Sequence, residues 1–312
     1  MNGRLTLAIA LAAAASVTAA AQQPRFRSGT EAIQVDVEVR NSNRPVAGLN
    51  AADFELRDSG VAQTIRVVSF ESVPVSIMLA LDASGSVRGD TLAHLKDAAR
   101  AAVQALTPQD EAALLTFSER VSLSAPWTRD RAALTNAIAH LEPAGATALH
   151  DGLFTAMSLC GKASGRCLLL VFTDGMDTAS WLDAPAVLET ARGTDVLVYG
   201  VSAASPFTAR SADESAVMLR QRPAMHRWFD EDPILFPHML LEKVADATGG
   251  EMVYLDTTRD LAATFSSIVS GFKQRYLIAY TPSGVPARGW HPIDVRVKGR
   301  RGDVRARRGY ER

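Results

Sequence analysis

The chain contains 312 residues, a length that favours about two domains. Apolar residues make up 47% and charged residues 21% of the sequence, proportions that exclude a disordered or collagen-like chain. The 33 basic and 34 acidic side chains give a net charge of −1, so the protein as a whole is not built to bind nucleic acid or an anionic membrane.

Residues 1–21 have the pattern of a secretory signal peptide. Arg4 supplies the positive start, an apolar run extends from Leu5 to Ala15, and small residues at 19–21 provide a cleavage site. The run is shorter than the roughly 20 apolar residues that cross a bilayer. We therefore expect an exported protein, periplasmic or extracellular, without a transmembrane segment once the signal is removed.

Residues 30–72 have the pattern of β-strands. Apolar residues at 33, 35, 37 and 39 alternate with polar residues, which is typical of a strand buried on one face. Clusters of turn-forming residues follow at 41–43 and 58–60.

Between residues 74 and 271, apolar runs alternate with helical periodicity. Buried strands are predicted at 75–81, 112–117, 167–172, 196–201 and 252–255. Helices are predicted at 92–106, 132–141, 148–159, 184–192, 240–248 and 261–272. This alternation implies an α/β fold with a doubly wound, mostly parallel sheet and helices on both faces.

Residues 275–312 return to strand-like alternation. Strands are predicted at 276–280 and 293–297, with a partner strand for the latter at 304–308 after a turn. Because chain ends often lie close together and domain insertion is tolerated, we expect 30–72 and 275–312 to form one small β-sandwich into which the α/β domain is inserted.

The two cysteines, Cys160 and Cys167, flank a short loop between a predicted helix and a predicted strand. In an oxidising compartment such a pair can form a disulfide bond that closes the loop. Two free cysteines would pack equally well as small apolar side chains. The sequence leaves both alternatives open.

Oxygen-bearing side chains follow the predicted strands where each strand ends. Asp82, Ser84 and Ser86 follow the first apolar run, Asp174 follows the third, and Thr147 lies in a loop that enters a helix. Ligands of a parallel sheet bind outside the carboxyl ends of its strands, so we expect these side chains to lie together. A set of oxygen donors without His or Cys suits a hard divalent cation such as Mg²⁺, with Mn²⁺ as the alternative.

The spacing Asp82-x-Ser84-x-Ser86, followed by Thr147 and Asp174, resembles the metal-ion-dependent adhesion site of von Willebrand factor type A domains. The resemblance covers residues 74–271 and implies that these five residues are the metal ligands. Ala146 departs from the family pattern, in which Gly is usual beside the threonine, but the departure leaves the hydroxyl in place. We expect Asp151 and Asp177 to support the ligands or cap loops rather than bind the metal.

Further motifs resemble one bacterial branch of this family, the VWFA-related proteins first described from Acidobacteria. They are Asp53-Phe54-Glu55-Leu56, Thr147-Ala148-Leu149-His150-Asp151, Thr173-Asp174-Gly175-Met176-Asp177-Thr178, Thr248-Gly249-Gly250, Gln274-Arg275-Tyr276 and Arg308-Gly309-Tyr310. The family carries no assigned enzyme activity, so the resemblance implies binding only.

Two carboxylates would leave a divalent cation short of ligands, with a position open to an Asp or Glu of a partner. The resulting hypothesis is an exported module that binds an acidic residue of a partner protein. One alternative is a Mg²⁺-dependent hydrolase, although Ser84 stands where a phospho-aspartyl hydrolase has a second Asp and no Gly-rich phosphate loop with Lys is present. The other is a structural cell-envelope module with an inactive metal site.

Two segments carry weaker signals. Residues 203–237 leave the carboxyl end of the fourth predicted strand and hold aromatic and acidic residues, so they would either set partner specificity or form a variable solvated loop. Residues 296–312 hold eight basic and two acidic side chains. Their alternation with apolar positions favours a solvated strand face over a nucleic-acid-binding tail.

Overall fold

The structure is a computed structural model that describes residues 32–41, 44–68, 74–174, 176–203, 237–299 and 303–312. The predicted signal peptide at 1–21 and nearly all of the 203–237 segment lie outside these described residues. The described residues belong to one compact unit that begins at Ala32. Within them, every helix is too short or too polar to cross a membrane.

The regular elements alternate as the sequence predicts. In chain order they are β1 (Ile33–Asn41), β2 (Arg44–Pro45), β3 (Phe54–Asp58), β4 (Val61–Ala62), β5 (Ile65–Val68), β6 (Val75–Asp82), α1 (Asp90–Gln104), β7 (Glu111–Phe117), β8 (Val121–Thr128), α2 (Arg131–Ala139), α3 (Leu149–Cys160), β9 (Arg166–Phe172), α4 (Ala184–Arg192), β10 (Leu197–Ser202), α5 (Pro237–Thr248), β11 (Glu251–Tyr254), α6 (Leu261–Lys273), β12 (Tyr276–Tyr280), β13 (Trp290–Val297), β14 (Asp303–Arg305) and β15 (Gly309–Glu311). The predicted helix bounds differ from these by only a few residues.

The central sheet has the strand order β11–β10–β9–β6–β7–β8. Neighbouring strands run parallel except for β7 and β8, which pair antiparallel. Every residue of β6, β9 and β10 is buried, because helices cover both faces of the sheet. Helices α1, α2 and α6 pack on one face, and α3, α4 and α5 pack on the other. The predicted doubly wound, mostly parallel sheet is confirmed.

Strand β8 is absent from the predicted strands, although its sequence carries a signal. Apolar residues at 121, 123, 125 and 127 alternate with Ser, Ser, Pro and Thr. This is the pattern of a half-exposed edge strand rather than of a buried one. Pro126 fits an edge strand, because an edge position tolerates the loss of a backbone donor.

The N- and C-terminal segments together form two antiparallel sheets. One has the order β14–β1–β12–β5, with β2 paired to β1, and the other has the order β15–β13–β3–β4. Apolar residues from both sheets share one core, in which the rings of Phe54 and Tyr276 meet edge to face at 5.4 Å. The predicted β-sandwich architecture is therefore present.

The prediction that a strand at 304–308 pairs with the strand at 293–297 is wrong. Instead of pairing with β13, β14 pairs with β1 in the other sheet, and β15 is the strand that pairs with β13. The chain changes sheets at 306–308, where Arg307 is buried and donates to the carbonyl oxygen of Gly309 and to the carboxylate of Asp195. Alternation along a strand does not reveal which sheet it joins.

The sandwich contacts the central sheet at the amino-terminal ends of its strands. Arg275, fully buried, donates to Glu38 Oε2 (3.1 Å), to the Tyr199 hydroxyl (2.9 Å) and to the carbonyl oxygen of Gly249 (3.0 Å). We call the contacts around Arg275 and Arg307 the junction. It lies opposite the carboxyl-terminal edge at which the predicted ligands should meet.

The structure bonds the sulfur atoms of Cys160 and Cys167, with a Cα–Cα distance of 5.7 Å. The bond joins the end of α3 to the beginning of β9. Both cysteines are also buried, so the bonded pair packs within the core on that face of the sheet.

Candidate metal centre

The carboxyl-terminal ends of β6, β7 and β9 meet at one edge of the central sheet, because these strands are parallel neighbours. Asp82 is the last residue of β6 and lies in register with Phe117, the last residue of β7. Asp174 comes two residues after the end of β9. The structure therefore brings the two carboxylates predicted as ligands to the same edge.

The loop between α2 and α3 carries Thr147 to this edge. The backbone N–H of Gly85 donates to the carbonyl oxygen of Gly145 (2.9 Å), and that of Ala144 donates to the carbonyl oxygen of Ala83 (2.9 Å). Gly145 has a φ of +74°, in the left-handed region that favours glycine. These contacts hold the Thr147 loop against the turn that follows β6.

A chain of hydrogen bonds connects the two carboxylates. The backbone N–H of Ser84 donates to Asp82 Oδ1 (2.8 Å), and Ser84 Oγ lies 2.9 Å from Ser86 Oγ. Ser86 Oγ then donates to Asp174 Oδ1 at 2.7 Å. Four of the five predicted ligands thus belong to one connected polar cluster, which we call the rim cluster.

The rim cluster passes from buried to exposed along its length. Asp82 and Ser84 are buried, whereas Ser86 is exposed and Asp174 is half-buried. Burial raises the pKa of Asp82; the hydrogen bonds from Ser84 and Thr173 oppose this rise, and the negative charge of Asp174 adds to it. The environment of Asp82 therefore disfavours its negative charge unless a cation is present.

Neither carboxylate of the rim cluster has a basic partner in the described part of the chain. The ion pairs between described residues join other carboxylates to Arg, Lys or His, and none includes Asp82 or Asp174. Two neighbouring negative charges without such a partner favour binding of a cation between them.

Thr147 links the two loops that carry the carboxylates. Its carbonyl oxygen accepts from the backbone N–H groups of Thr178 (2.8 Å) and Ala179 (3.1 Å), and its own N–H donates to the Thr178 hydroxyl (3.0 Å). Its side-chain hydroxyl has no hydrogen-bond partner among the described residues. That oxygen is therefore available as a ligand while the backbone around it is held in place.

Asp151 and Asp177 hold the loop after β9 against the beginning of α3. Asp151 accepts from the backbone N–H groups of Trp181 (3.1 Å) and Leu182 (3.0 Å). Asp177 accepts from the backbone N–H of His150 (3.2 Å) and from the Ser180 hydroxyl (2.5 Å). In the structure both carboxylates are engaged in ordering this loop, whose first residues include Asp174.

Two further residues of the site are missing from the predicted set. The hydroxyl of Thr173, which is fully buried, donates to Asp82 Oδ2 (2.8 Å), and Thr178 binds the backbone of Thr147. Both belong to the segment 173–178, which begins with Thr-Asp and ends with the reverse pair, Asp-Thr. This repetition of hydroxyls beside carboxylates was the signal that could have identified them.

The donor set suits a hard divalent cation. It combines two carboxylates with three hydroxyls, and such oxygen ligands are those that Mg²⁺ and Mn²⁺ prefer. Across the described ranges, no group of three or more His, Cys, Asp or Glu side chains is arranged to hold a metal. A metal at the rim cluster would therefore depend on the hydroxyls of Ser84, Ser86 and Thr147.

A second polar cluster, in the sandwich, contains Ser, His and Asp but does not have the arrangement of a catalytic triad. His291 Nδ1 lies 3.0 Å from Asp58 Oδ1 and 3.4 Å from Ser59 Oγ, so one ring nitrogen faces both partners. The other nitrogen, Nε2, is buried and has no hydrogen-bond partner within the part of the chain that the structure describes. A triad requires the serine and the aspartate on opposite ring nitrogens.

Comparison with known proteins identifies the fold. Residues 77–176, which include all five predicted ligands, match the family model of the von Willebrand factor type A domain. A UPF0353 protein of Mycolicibacterium paratuberculosis is 23% identical over 233 residues, which cover 69% of this chain and 64% of the relative. An uncharacterized protein of Synechocystis sp. is 30% identical over 107 residues, covering 33% of this chain and 26% of the relative. The chain thus spans less than two thirds of the length of these relatives.

A solved structure shares the fold. The von Willebrand factor type A protein from Catenulispora acidiphila superposes with a TM-score of 0.50 at 14% identity, covering 92% of this chain and 74% of that one. The closer resemblance to the branch described from Acidobacteria stays a prediction. The family match together with the helix-covered sheet leads to one conclusion: the chain contains a von Willebrand factor type A domain, which includes residues 77–176.

Proposed function

We propose that this protein binds a partner protein through a divalent cation held by the rim cluster and Thr147. The ligands would be Asp82, Ser84, Ser86, Thr147 and Asp174, and an Asp or Glu of the partner would complete the coordination. In this proposal residues 74–271 are the binding domain, and 30–72 with 275–312 form its base. The hydrogen-bonded chain from buried Asp82 to half-buried Asp174 is the observation that carries the proposal.

The carboxylates and the hydroxyls of the site have different roles in the proposed binding. Asp82 and Asp174 supply the negative charge that attracts a cation, while the neutral hydroxyls supply further oxygen donors without adding charge. The cation, when bound, supplies a positive centre that attracts a carboxylate of the partner. Because Ser86 is exposed and Asp174 is only half-buried, the outer side of the site is open to that carboxylate.

Binding fits the site better than catalysis does. Among the described residues no His or Lys side chain is hydrogen-bonded to the rim cluster, so a general acid or base would have to be one of the carboxylates already proposed as ligands. The Ser59–His291–Asp58 group lacks the arrangement of a triad and lies within the sandwich core. Together with the predicted signal peptide, these observations support an exported binding protein, with Mg²⁺ as the proposed ion and Mn²⁺ as the alternative.

A calorimetric titration of Mg²⁺ and Mn²⁺ into the chelator-treated full chain tests the metal site. We expect binding by the wild type and a loss of at least about tenfold in affinity for Asp174→Asn, because the variant removes one of two charged ligands. Glu189→Gln is the matched control, since this exposed carboxylate on α4 lies outside the site and should leave the affinity unchanged.

The outcomes separate the alternatives. Equal affinity in the wild type and Asp174→Asn would contradict the assigned ligands, and no metal binding by the wild type would favour a structural module with an inactive site. Hydrolysis of a phosphate ester or carboxylic ester by the metal-loaded wild type, abolished in Asp174→Asn, would favour the hydrolase instead.

A further inference from the structure

Two large apolar side chains are exposed on the loop that follows Asp174. Trp181 is 96% exposed and Met176 is 57% exposed. A Trp side chain is usually largely buried, because its indole ring is the largest apolar surface that any residue carries. An almost fully exposed indole therefore requires a reason beyond stability.

The loop holds Trp181 in place without using its indole ring. Asp151 accepts from the backbone N–H groups of Trp181 and Leu182, and His150 Nδ1 lies 3.0 Å from the carbonyl oxygen of Leu182. The Ser180 hydroxyl is bonded to Asp177. The backbone on both sides of the indole is thus fixed, so that ordering it on binding would cost little entropy.

The same loop is continuous with the candidate metal centre. Met176 lies two residues after Asp174, and the backbone N–H groups of Thr178 and Ala179 donate to the carbonyl oxygen of Thr147. Trp181 follows Ala179 by two residues, so at most about 7 Å of chain separates their Cα atoms. The exposed apolar side chains therefore border the place where a partner's carboxylate would enter.

We propose that Trp181, with Met176, forms the apolar half of the binding surface and selects partners whose acidic residue has a large apolar side chain within a few residues of it. This inference rests on the proposed function, since the acidic residue is located by the metal centre. The two halves are complementary: a single carboxylate–metal contact admits any exposed Asp or Glu, whereas a fixed aromatic anchor adds selectivity.

The charges around Trp181 favour a protein segment over an anionic membrane. Asp183 and Glu119 are exposed on the loops of this edge together with Arg88 and Arg120, and the net charge of the whole chain is −1. These loops therefore carry charges of both signs rather than the basic patch that an anionic bilayer attracts. A peptide with one acidic residue beside apolar ones would bring little negative charge apart from the group that meets the metal.

Selection of random linear peptides displayed on phage, against the full chain in Mg²⁺ and with elution by chelator, tests the proposal. We expect the eluted peptides to pair an Asp or Glu with a nearby large apolar residue. A synthetic peptide from this set should bind Trp181→Ala at least about tenfold more weakly than wild type, as expected for an aromatic hot spot. Trp181→Phe should recover part of the affinity.

Two controls separate this effect from misfolding and from loss of metal. Leu123→Ala removes an apolar side chain of 45% exposure on β8 and should leave peptide affinity unchanged. Mg²⁺ affinity and the melting temperature of Trp181→Ala should equal those of the wild type, because the indole takes no part in either.

Each contrary outcome has a distinct meaning. Peptides that share only an acidic residue and bind Trp181→Ala as tightly as wild type would overturn this inference and leave the proposed function standing. Failure of the wild type to bind Mg²⁺ or any chelator-eluted peptide would overturn both. Mg²⁺-dependent binding to phosphatidylserine vesicles that requires Trp181, without peptide binding, would replace the protein partner with a membrane.

Discussion

Charged side chains collect at both edges of the central sheet, but their charges are compensated in different ways. At the junction, on the amino-terminal edge, Glu38 is paired with fully buried Arg275 and Asp195 with Arg307. At the rim cluster, on the carboxyl-terminal edge, Asp82 and Asp174 have no basic partner within the described residues. At the junction each of these carboxylates is thus paired with an arginine, whereas no described basic side chain pairs with the carboxylates of the rim cluster.

The two arrangements also differ in what the loss of one charge would do. A buried ion pair is strongly damaged when one partner is removed, because the other charge is left without compensation. In a pair of neighbouring carboxylates, by contrast, removing one charge relieves repulsion, because each negative charge disfavours the other. The buried ion pair favours a permanent contact between two parts of the fold. The pair of carboxylates favours binding of a cation from solution.

The largest expected effect is at the junction. Glu38→Gln leaves Arg275 buried without its carboxylate and should lower the free energy of unfolding by about 3–5 kcal/mol. Glu55→Gln, which breaks the exposed pair with Arg57, is the matched control and should cost less than about 1 kcal/mol. Urea unfolding monitored by circular dichroism measures both. Equal losses of unfolding free energy in the two variants would show that the buried Glu38–Arg275 pair stabilises the fold no more than an exposed pair does.

A buried carboxylate of the sandwich, Asp58, extends the comparison, because its neighbours are two tyrosines, a serine and a histidine rather than an arginine or a lysine. Burial acts to raise the pKa of Asp58, but hydrogen bonds from Tyr310, Tyr280, His291 and Ser59 outweigh it and lower the pKa below its usual value. A lowered pKa in the folded state means that this stabilisation is present above about pH 4 and is lost as the pH falls through the folded-state pKa.

The Asp58→Asn variant tests this pH dependence. At pH 7 it should be less stable than the wild type by about 1–3 kcal/mol, the worth of hydrogen bonds to a charged group. Below about pH 4 the difference should shrink, because the wild type becomes protonated and the Asn does not titrate. Unfolding free energies measured from pH 7 to pH 3 check the trend, and a difference that stays constant with pH would refute it.

The smallest expected effect, with the opposite sign, is at the rim cluster. In chelator, Asp82→Asn should leave the protein as stable as the wild type or more stable by up to about 1 kcal/mol, because it removes a buried charge that Asp174 opposes. With Mg²⁺ present, the wild type alone should gain stability as the ion binds the folded state. A loss of more than about 1 kcal/mol in chelator would mean that the Asp82 charge stabilises the fold without a cation.

The secondary structure was largely predictable because continuous apolar runs and helical stripes have different periods. Runs such as 75–81 and 167–172 are typical of short strands covered on both faces. The observed strands differ from these predicted bounds by one residue at most. The sheet membership of β14 was not predictable, since its alternation fits either sheet of the sandwich. The inward turn of Arg307 between β14 and β15 determines that choice.

The residues of the candidate site were also predictable only in part. The rule that parallel strands place their carboxyl ends together predicted five oxygen donors at one edge. The structure joins four of them by hydrogen bonds, and their role as metal ligands stays a prediction. The supporting contacts of Thr173 and Thr178 were not found, because they depend on the path of a loop. The sequence also did not predict the 96% exposure of Trp181, because an isolated Trp in a sequence is more often buried.

The sequence by itself determined most of the elements, the class of fold and which oxygen-bearing side chains follow the strand ends, because these follow from local periodicity and from the order of residues along the chain. Only the tertiary structure decided which charges meet. It placed Arg275 beside Glu38, 237 positions apart in the chain, and placed Asp82 and Asp174 together without a described basic partner. The physical reason is that charge compensation depends on distances across the fold, which neither composition nor periodicity encodes.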